Sequence, residues 1–171
     1  MCCRQPTSDE AVSVVAEPRL AIRQDDLTGD QTRDLLRLHL AGMHASSPGP
    51  EYVFALDISA LQARGVTVWT AWIGERIAAI GALKDLGDLA GEVKSMRTHP
   101  EFLRRGIGAA MLEHIIGEAR ARGMRHLSLE TGSGPAFEPA LALYRRRGFV
   151  EGEPFGDYVR SDFNQFLHLI L

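Results

Sequence analysis

Apolar positions along this chain recur with a period that changes from segment to segment, and the changes mark the elements. Leu20-Ala21-Ile22-Arg23 reads as a first strand. From Thr28 or Asp30, with an N-cap residue in front, Leu35, Leu36, Leu38, Leu40 and Met43 predict a helix. Ser46-Ser47-Pro48-Gly49-Pro50 breaks it. A short second helix carries Phe54, Leu56, Ile58 and Leu61 and stops at Gly65. Val66 to Ile73, the turn Gly74-Glu75, and Arg76 to Lys84 read as a hairpin. Within it Trp69 and Trp72 are three apart, which puts them on opposite faces of the strand. A turn over Gly87 to Gly91 leads into a strand from Glu92 to Thr98. The helix after Gly108 has Leu112, Ile115, Ile116 and Ala119 at i, i+3, i+4 and i+7. Arg120 and Arg122 suit the negative end of its dipole, and Gly123 its stop.

His126 to Glu130 is a strand with Leu127 and Leu129 on one face, and Pro139 fits the first turn of a last helix. Phe149, Phe155, Tyr158, Phe166, Leu169 and Leu171 end the chain as a hairpin. This order predicts an α/β (α+β) single domain over residues 19–171, with a mixed central sheet of about six to seven strands flanked by about four helices. Residues 1–18, rich in polar residues and Pro, read as a mobile tail.

Composition narrows the class. At 171 residues, one domain with a sizeable core is expected. Hydrophobic residues make up 45% and charged residues 24%, the balance of a soluble globular protein. A net charge of −3 argues against a nucleic-acid partner, and no apolar run is long enough to cross a bilayer. The two cysteines, Cys2 and Cys3, are adjacent and have no partner elsewhere, so the expected compartment is reducing and cytoplasmic. A cysteine pair supplies too few ligands for a metal site, and none is expected.

The densest chemical signal runs from Gly91 to Gly123, where a strand, a Gly-rich turn and a helix follow one another. In Arg104-Arg105-Gly106-Ile107-Gly108-Ala109, two glycines bend the backbone and leave N–H groups uncovered at a helix start. Such a start favours phosphate. A P-loop would end in Lys-Ser/Thr, and a dinucleotide fingerprint would have a third glycine where Met111 stands. Neither is present, which leaves a pyrophosphate cradle after a strand carrying Glu92, Lys94 and Arg97.

Met96-Arg97-Thr98-His99-Pro100 followed by Leu103-Arg104-Arg105-Gly106-Ile107-Gly108 resembles the cofactor signature of the GCN5-related N-acetyltransferases. A second signature follows in order, Ala140-Leu141-Ala142-Leu143-Tyr144, closing with Arg147-Gly148-Phe149. The resemblance covers residues 19 to 171. It departs at Leu103, where the family has Arg or Gln, and at Phe137, where it often has Asn. It implies acetyl-CoA as acyl donor and transfer to a primary amine by direct attack in a ternary complex. It also implies contacts to the cofactor from Met96, Arg97 and Thr98 on the strand and from Leu103, Arg104, Arg105, Gly106, Ile107, Gly108 and Ala109 in the loop. The alternative is a non-catalytic acyl-CoA-binding sensor or scaffold module.

Amide formation requires a neutral amine, and roughly one lysine-like amine in a thousand is neutral at pH 7. Glu92 is the candidate base; in a regular strand it shares a face with Lys94 and Met96, and the alternative is an exposed Glu92–Lys94 ion pair. Tyr144 is the candidate acid, pointing at the cofactor sulfur in the resembled family. His44, Lys94 and Tyr158 are candidates to line an acceptor pocket. The acceptor is a small-molecule amine, an amino acid or a peptide. The C-terminal strand, ending Leu169-Ile170-Leu171, could pair across a homodimer.

Overall fold

The computed structural model describes residues 19–50 and 57–171. The N-terminal tail with Cys2 and Cys3, and the helical positions Phe54 and Leu56, lie outside them. Seven strands form one sheet in the order β1-β2-β3-β4-β5-β7-β6. They are β1 (Leu20–Gln24), β2 (Val66–Ile73), β3 (Arg76–Gly87), β4 (Ala90–Thr98), β5 (His126–Thr131), β6 (Val150–Glu151) and β7 (Gln165–Ile170). Every neighbouring pair is antiparallel except β4 with β5. The helices are α1 (Asp30–Ser46), α2 (Ile58–Leu61), α3 (Ile107–Ala121) and α4 (Glu138–Arg146).

The two sides of the sheet bury different sets. Met111, Leu112, Ile115 and Ala119 of α3 and Leu141 of α4 pack with Trp69, Leu83, Leu127 and Leu129. Leu35 and Leu36 of α1 and Leu61 of α2 pack with Val68, Ile77, Ile80 and Ala82, and Trp72 leans on this second set. Trp69 and Trp72 therefore do face opposite ways, as a period of two requires.

Helix α1 begins where the sequence places it, but its N-cap is Gly29, which offers no side-chain cap. Asp30 in the first turn supplies the favourable charge at the positive end of the dipole instead. The buried stripe is Thr32, Leu35, Leu36 and His39, at i, i+3, i+4 and i+7. Leu38, counted among the apolar face, points outward at 37% exposure. The helical repeat turns His39 inward in its place.

Strand β4 positions the site through two irregularities. Its register against β3 steps from Ala82↔Lys94 to Ile80↔Arg97, so β4 carries one extra residue. Ser95 lies in that bulge with φ of 54°, a left-handed conformation uncommon outside glycine. The bulge reverses the alternation. Lys94 stays on the side of Glu92, while Met96 turns towards α3, where its sulfur nears Gly81, Met111 and Ile115. The regular-strand expectation that Met96 shares the Glu92 face fails for this reason.

The second irregularity is a split. β4 and β5 pair only through Ala90↔His126, Gly91↔Leu127 and Glu92↔Ser128. Beyond those three pairs the strands part, and the last part of β4 has no ladder partner on that side.

Candidate active site

The split opens two cavities that meet. A groove of about 360 Å³ on the α3–α4 side is lined by Met96, Thr98, Leu103, Gly108, Leu143 and Tyr144. A cavity of about 290 Å³ between α1 and the split is lined by His39, Lys94, Ser95, Arg97, Glu130 and Tyr144, among others. Met96, Arg97, Ala136, Ala140 and Tyr144 border both.

The groove ends at the Gly-rich turn. Arg104 takes a φ of 59° and Gly106 one of 77°, so the chain reverses twice before α3 begins at Ile107. Gly106 is the N-cap and no side chain caps the helix. The first N–H groups of α3, those of Ile107, Gly108 and Ala109, have no intrahelical carbonyl to pair with. Leu103, Arg104, Arg105 and Gly106 are exposed, Gly108 and Ala109 half-buried. Arg105 stacks over Phe102 at 5.5 Å. A Cβ on Gly108 would stand 3.1 Å from the Thr98 hydroxyl, so glycine lets the helix start approach the end of β4 closely. N–H groups without intrahelical partners, a helix start and two exposed arginines make this end of the groove suited to phosphate.

Glu92 is placed away from both cavities. It is 2% exposed, and its Oε1 accepts from Lys94 Nζ at 2.9 Å and from the Tyr158 hydroxyl at 2.5 Å. Lys94 Nζ also donates to the Tyr158 oxygen. The exposed Glu92–Lys94 pair is thus corrected to a buried one, closed by a tyrosine 64 positions downstream of the lysine. Tyr158, expected in the acceptor pocket, serves this network. Burial, then the hydrogen bond to Glu92, pushes its phenol well above the usual range. His44 is exposed and outside the cavity; the histidine of α1 that lines it is His39.

Glu130, at the end of β5, is the carboxylate that the cavity receives. It lies on the same side of the sheet as Glu92, since Leu127 and Leu129 face the other way. Burial raises its carboxyl to about 7; the nearby Lys94 charge partly offsets this, and Glu92 adds to it. It has no hydrogen-bond or ion-pair partner among the described residues. The alternation of Leu127, Ser128, Leu129 and Glu130 in the sequence carried the signal for its facing; which neighbour would occupy each glutamate was not readable there.

Tyr144, 6% exposed, stands where groove and cavity join. Burial, reinforced by the Glu130 charge, holds its phenol above its usual range, so it is protonated at neutral pH. Its hydroxyl has no partner among the described residues. Phe137, where the resembled family often has Asn, is a core residue. It packs edge-on to Phe163 at 5.5 Å, and both rings close on Gly132, whose missing side chain admits them.

Lys94 and Arg97 both line the cavity but differ in state. Lys94 is neutralised by Glu92. The Arg97 guanidinium lies along α1, 3.4 to 3.7 Å from where a Gly42 side chain would begin. His39 beside it is held neutral, its pKa lowered to about 4 by burial and by the Arg97 charge.

The profile of the acetyltransferase (GNAT) family matches residues 32–149. Two bacterial relatives are described as uncharacterized N-acetyltransferases. YedL of Escherichia coli is 45% identical over 150 residues, 88% of this chain and 94% of its own. YsnE of Bacillus subtilis is 49% identical over 137 residues, 80% of this chain and 90% of its own. A Bacillus subtilis acetyltransferase solved in complex with CoA superposes with a TM-score of 0.66 at 19% identity. That match covers 90% of this chain and 99% of the other, and establishes the likeness of fold. With the profile spanning most of the domain and two relatives near half identity, the chain belongs to the GNAT family and is an N-acetyltransferase.

Proposed function

We propose that this enzyme transfers an acetyl group from acetyl-CoA to a primary amine by direct attack in a ternary complex. Glu130 takes the amine proton and Tyr144 attends the leaving sulfur. The observation that carries this reading is the meeting of two cavities at Tyr144, one ending at a phosphate-suited helix start and the other holding a carboxylate poised near neutrality. The thioester arm lies in the groove along the unpaired stretch of β4, where free backbone groups serve the pantetheine amides as a neighbouring strand would. The N–H groups at the start of α3 and Arg104 or Arg105 hold the pyrophosphate.

The amine arrives as an ammonium ion. One of its protons passes to the Glu130 carboxylate, which a pKa near 7 suits as both acceptor and donor at physiological pH. The free lone pair attacks the thioester carbon. As the new C–N bond forms and the C–S bond breaks, the second nitrogen proton leaves and ends on sulfur. Tyr144, kept protonated, donates a hydrogen bond to the departing thiolate. Holding both reactants at the split supplies orientation. Glu92 keeps a structural part, neutralising Lys94.

Thiol release from acetyl-CoA across a panel of amines tests this. For an accepted amine, kcat/KM should rise through an inflection near pH 7, because only ionised Glu130 accepts a proton. Glu130→Gln should lower the rate about 100- to 10,000-fold and remove that inflection. A Glu130→Gln enzyme that keeps both rate and inflection would overturn the assignment.

A further inference from the structure

The acceptor cavity holds a cation, Arg97, with no ion-pair partner among the described residues; Glu130, the carboxylate that shares the cavity, feels the charges of Lys94 and Glu92 instead. Among the charged groups that line it, Lys94 is matched by Glu92 at 2.9 Å, and His39 is neutral. Arg97 forms no ion pair among the described residues, and its Nε is buried without a hydrogen-bond partner. Ser95, the left-handed residue of the bulge, stands two positions away. It is 8% exposed, and its hydroxyl is buried and also unpartnered. Unmet donors of this kind cost stability unless something occupies them, and a guanidinium and a hydroxyl lining one cavity suit a carboxylate in charge and hydrogen bonding. Gly42, towards the C-terminal end of α1, adds to this. Glycine there weakens a helix by about 1 kcal/mol relative to alanine. Any side chain larger than a methyl would press on the guanidinium from a starting distance of 3.4 Å.

We propose that the acceptor is a free amino acid, whose carboxylate is bound by Arg97 and the Ser95 hydroxyl while its amine faces Glu130. This deepens the proposed function and rests on it, because it uses Glu130 as the amine end of the same cavity. The chemistry selects against two other acceptors. A polyamine would bring further positive charge against Arg97. A protein N-terminus lacks a carboxylate beside its amine, and leaves the guanidinium and hydroxyl unpaired.

The test reads binding first and turnover second. Titration calorimetry of the CoA-saturated protein is run with free amino acids, with their carboxamides, with simple alkyl amines and with short peptides. Free acids of at least one side-chain class should bind, and their carboxamides should bind about 10- to 100-fold more weakly. Arg97→Gln should bring that ratio towards one, with Arg97→Lys between the two. Urea unfolding of each variant serves as the check that it is folded, and the acid-against-amide comparison in the unaltered protein needs no variant at all. Spacing is read from glycine, β-alanine and 4-aminobutyrate. Carboxamides or peptides binding as well as free acids, no free acid binding, or a preference that survives Arg97→Gln would each overturn the proposal. Arg97-dependent binding without thiol release would leave the carboxylate site standing and defeat the transfer mechanism instead.

Discussion

Two glutamates of the same chemistry sit on one side of one sheet, and their neighbours assign them different work. Glu92 is enclosed with Lys94 and Tyr158; Glu130 lines the cavity between α1 and the split. Removing one member of a buried pair strands the other charge, so Glu92→Gln should destabilise the fold by about 3 kcal/mol. Pairing it with Lys94→Met should recover most of that loss, since two apolar or neutral groups need no mutual partner. Urea unfolding of the single and double variants measures both; a single variant as stable as the parent would show the pair to be dispensable. The alternation Glu92, Lys94 was legible in the sequence, and so was their common side. Their burial was not, because it depends on Tyr158, which arrives from the connection between β6 and β7. For the same reason the candidate on α1 was His44, whereas the histidine that lines the cavity is His39. The spacing from Thr32 through Leu35 and Leu36 already pointed to His39, but a histidine inside an apolar stripe reads as an interruption until its neighbours are known.

At the scale of elements, the sequence was most readable where period and punctuation agreed. The hairpin of β2 and β3, the strand–turn–helix of β4 and α3, and the Pro-led α4 all fall where their patterns place them, because Gly74, Gly106 and Pro139 each serve a local backbone need. The bulge in β4 was not readable, since Ser95 has no preference for a left-handed conformation and is held there by its surroundings. That bulge turns Met96 onto α3, where the contact leaves no room at Gly81. A Cβ there would lie 2.8 Å from the Met96 sulfur and 2.9 Å from atoms of Met111 and Ile115. Gly81→Ala should therefore cost about 1–3 kcal/mol through overpacking. It should also weaken acetyl-CoA binding, because Met96 lines the groove and a displaced Met96 intrudes on it. Full stability with unchanged affinity would mean that the layer repacks freely.

Across the whole molecule the sheet is two blocks, β1–β4 and β5-β7-β6, joined in the ladder by three residue pairs. Helices α3 and α4 cover the junction from one side. A ligand laid along the split adds contacts to both blocks, so its binding energy goes to the weakest seam of the fold. At a hundred times its dissociation constant, acetyl-CoA should stabilise the protein by about 2.7 kcal/mol. Amide exchange should slow most in β4 after Glu92 and in β5 after Ser128, and least in β2. Protection spread evenly over the sheet, or limited to the start of α3, would contradict a ligand seated in the split.

The two cavities reach the split from different sides, one past α1 and the other past α3 and α4. On the proposed placement, a thioester would enter by the groove and an amine by the cavity, and the two would meet only at Tyr144 and its neighbours. Neither reactant then has to wait for the other to enter, and neither product has to leave first. The kinetic signature of such a layout is random-order addition, with intersecting initial-rate lines and no obligatory first substrate.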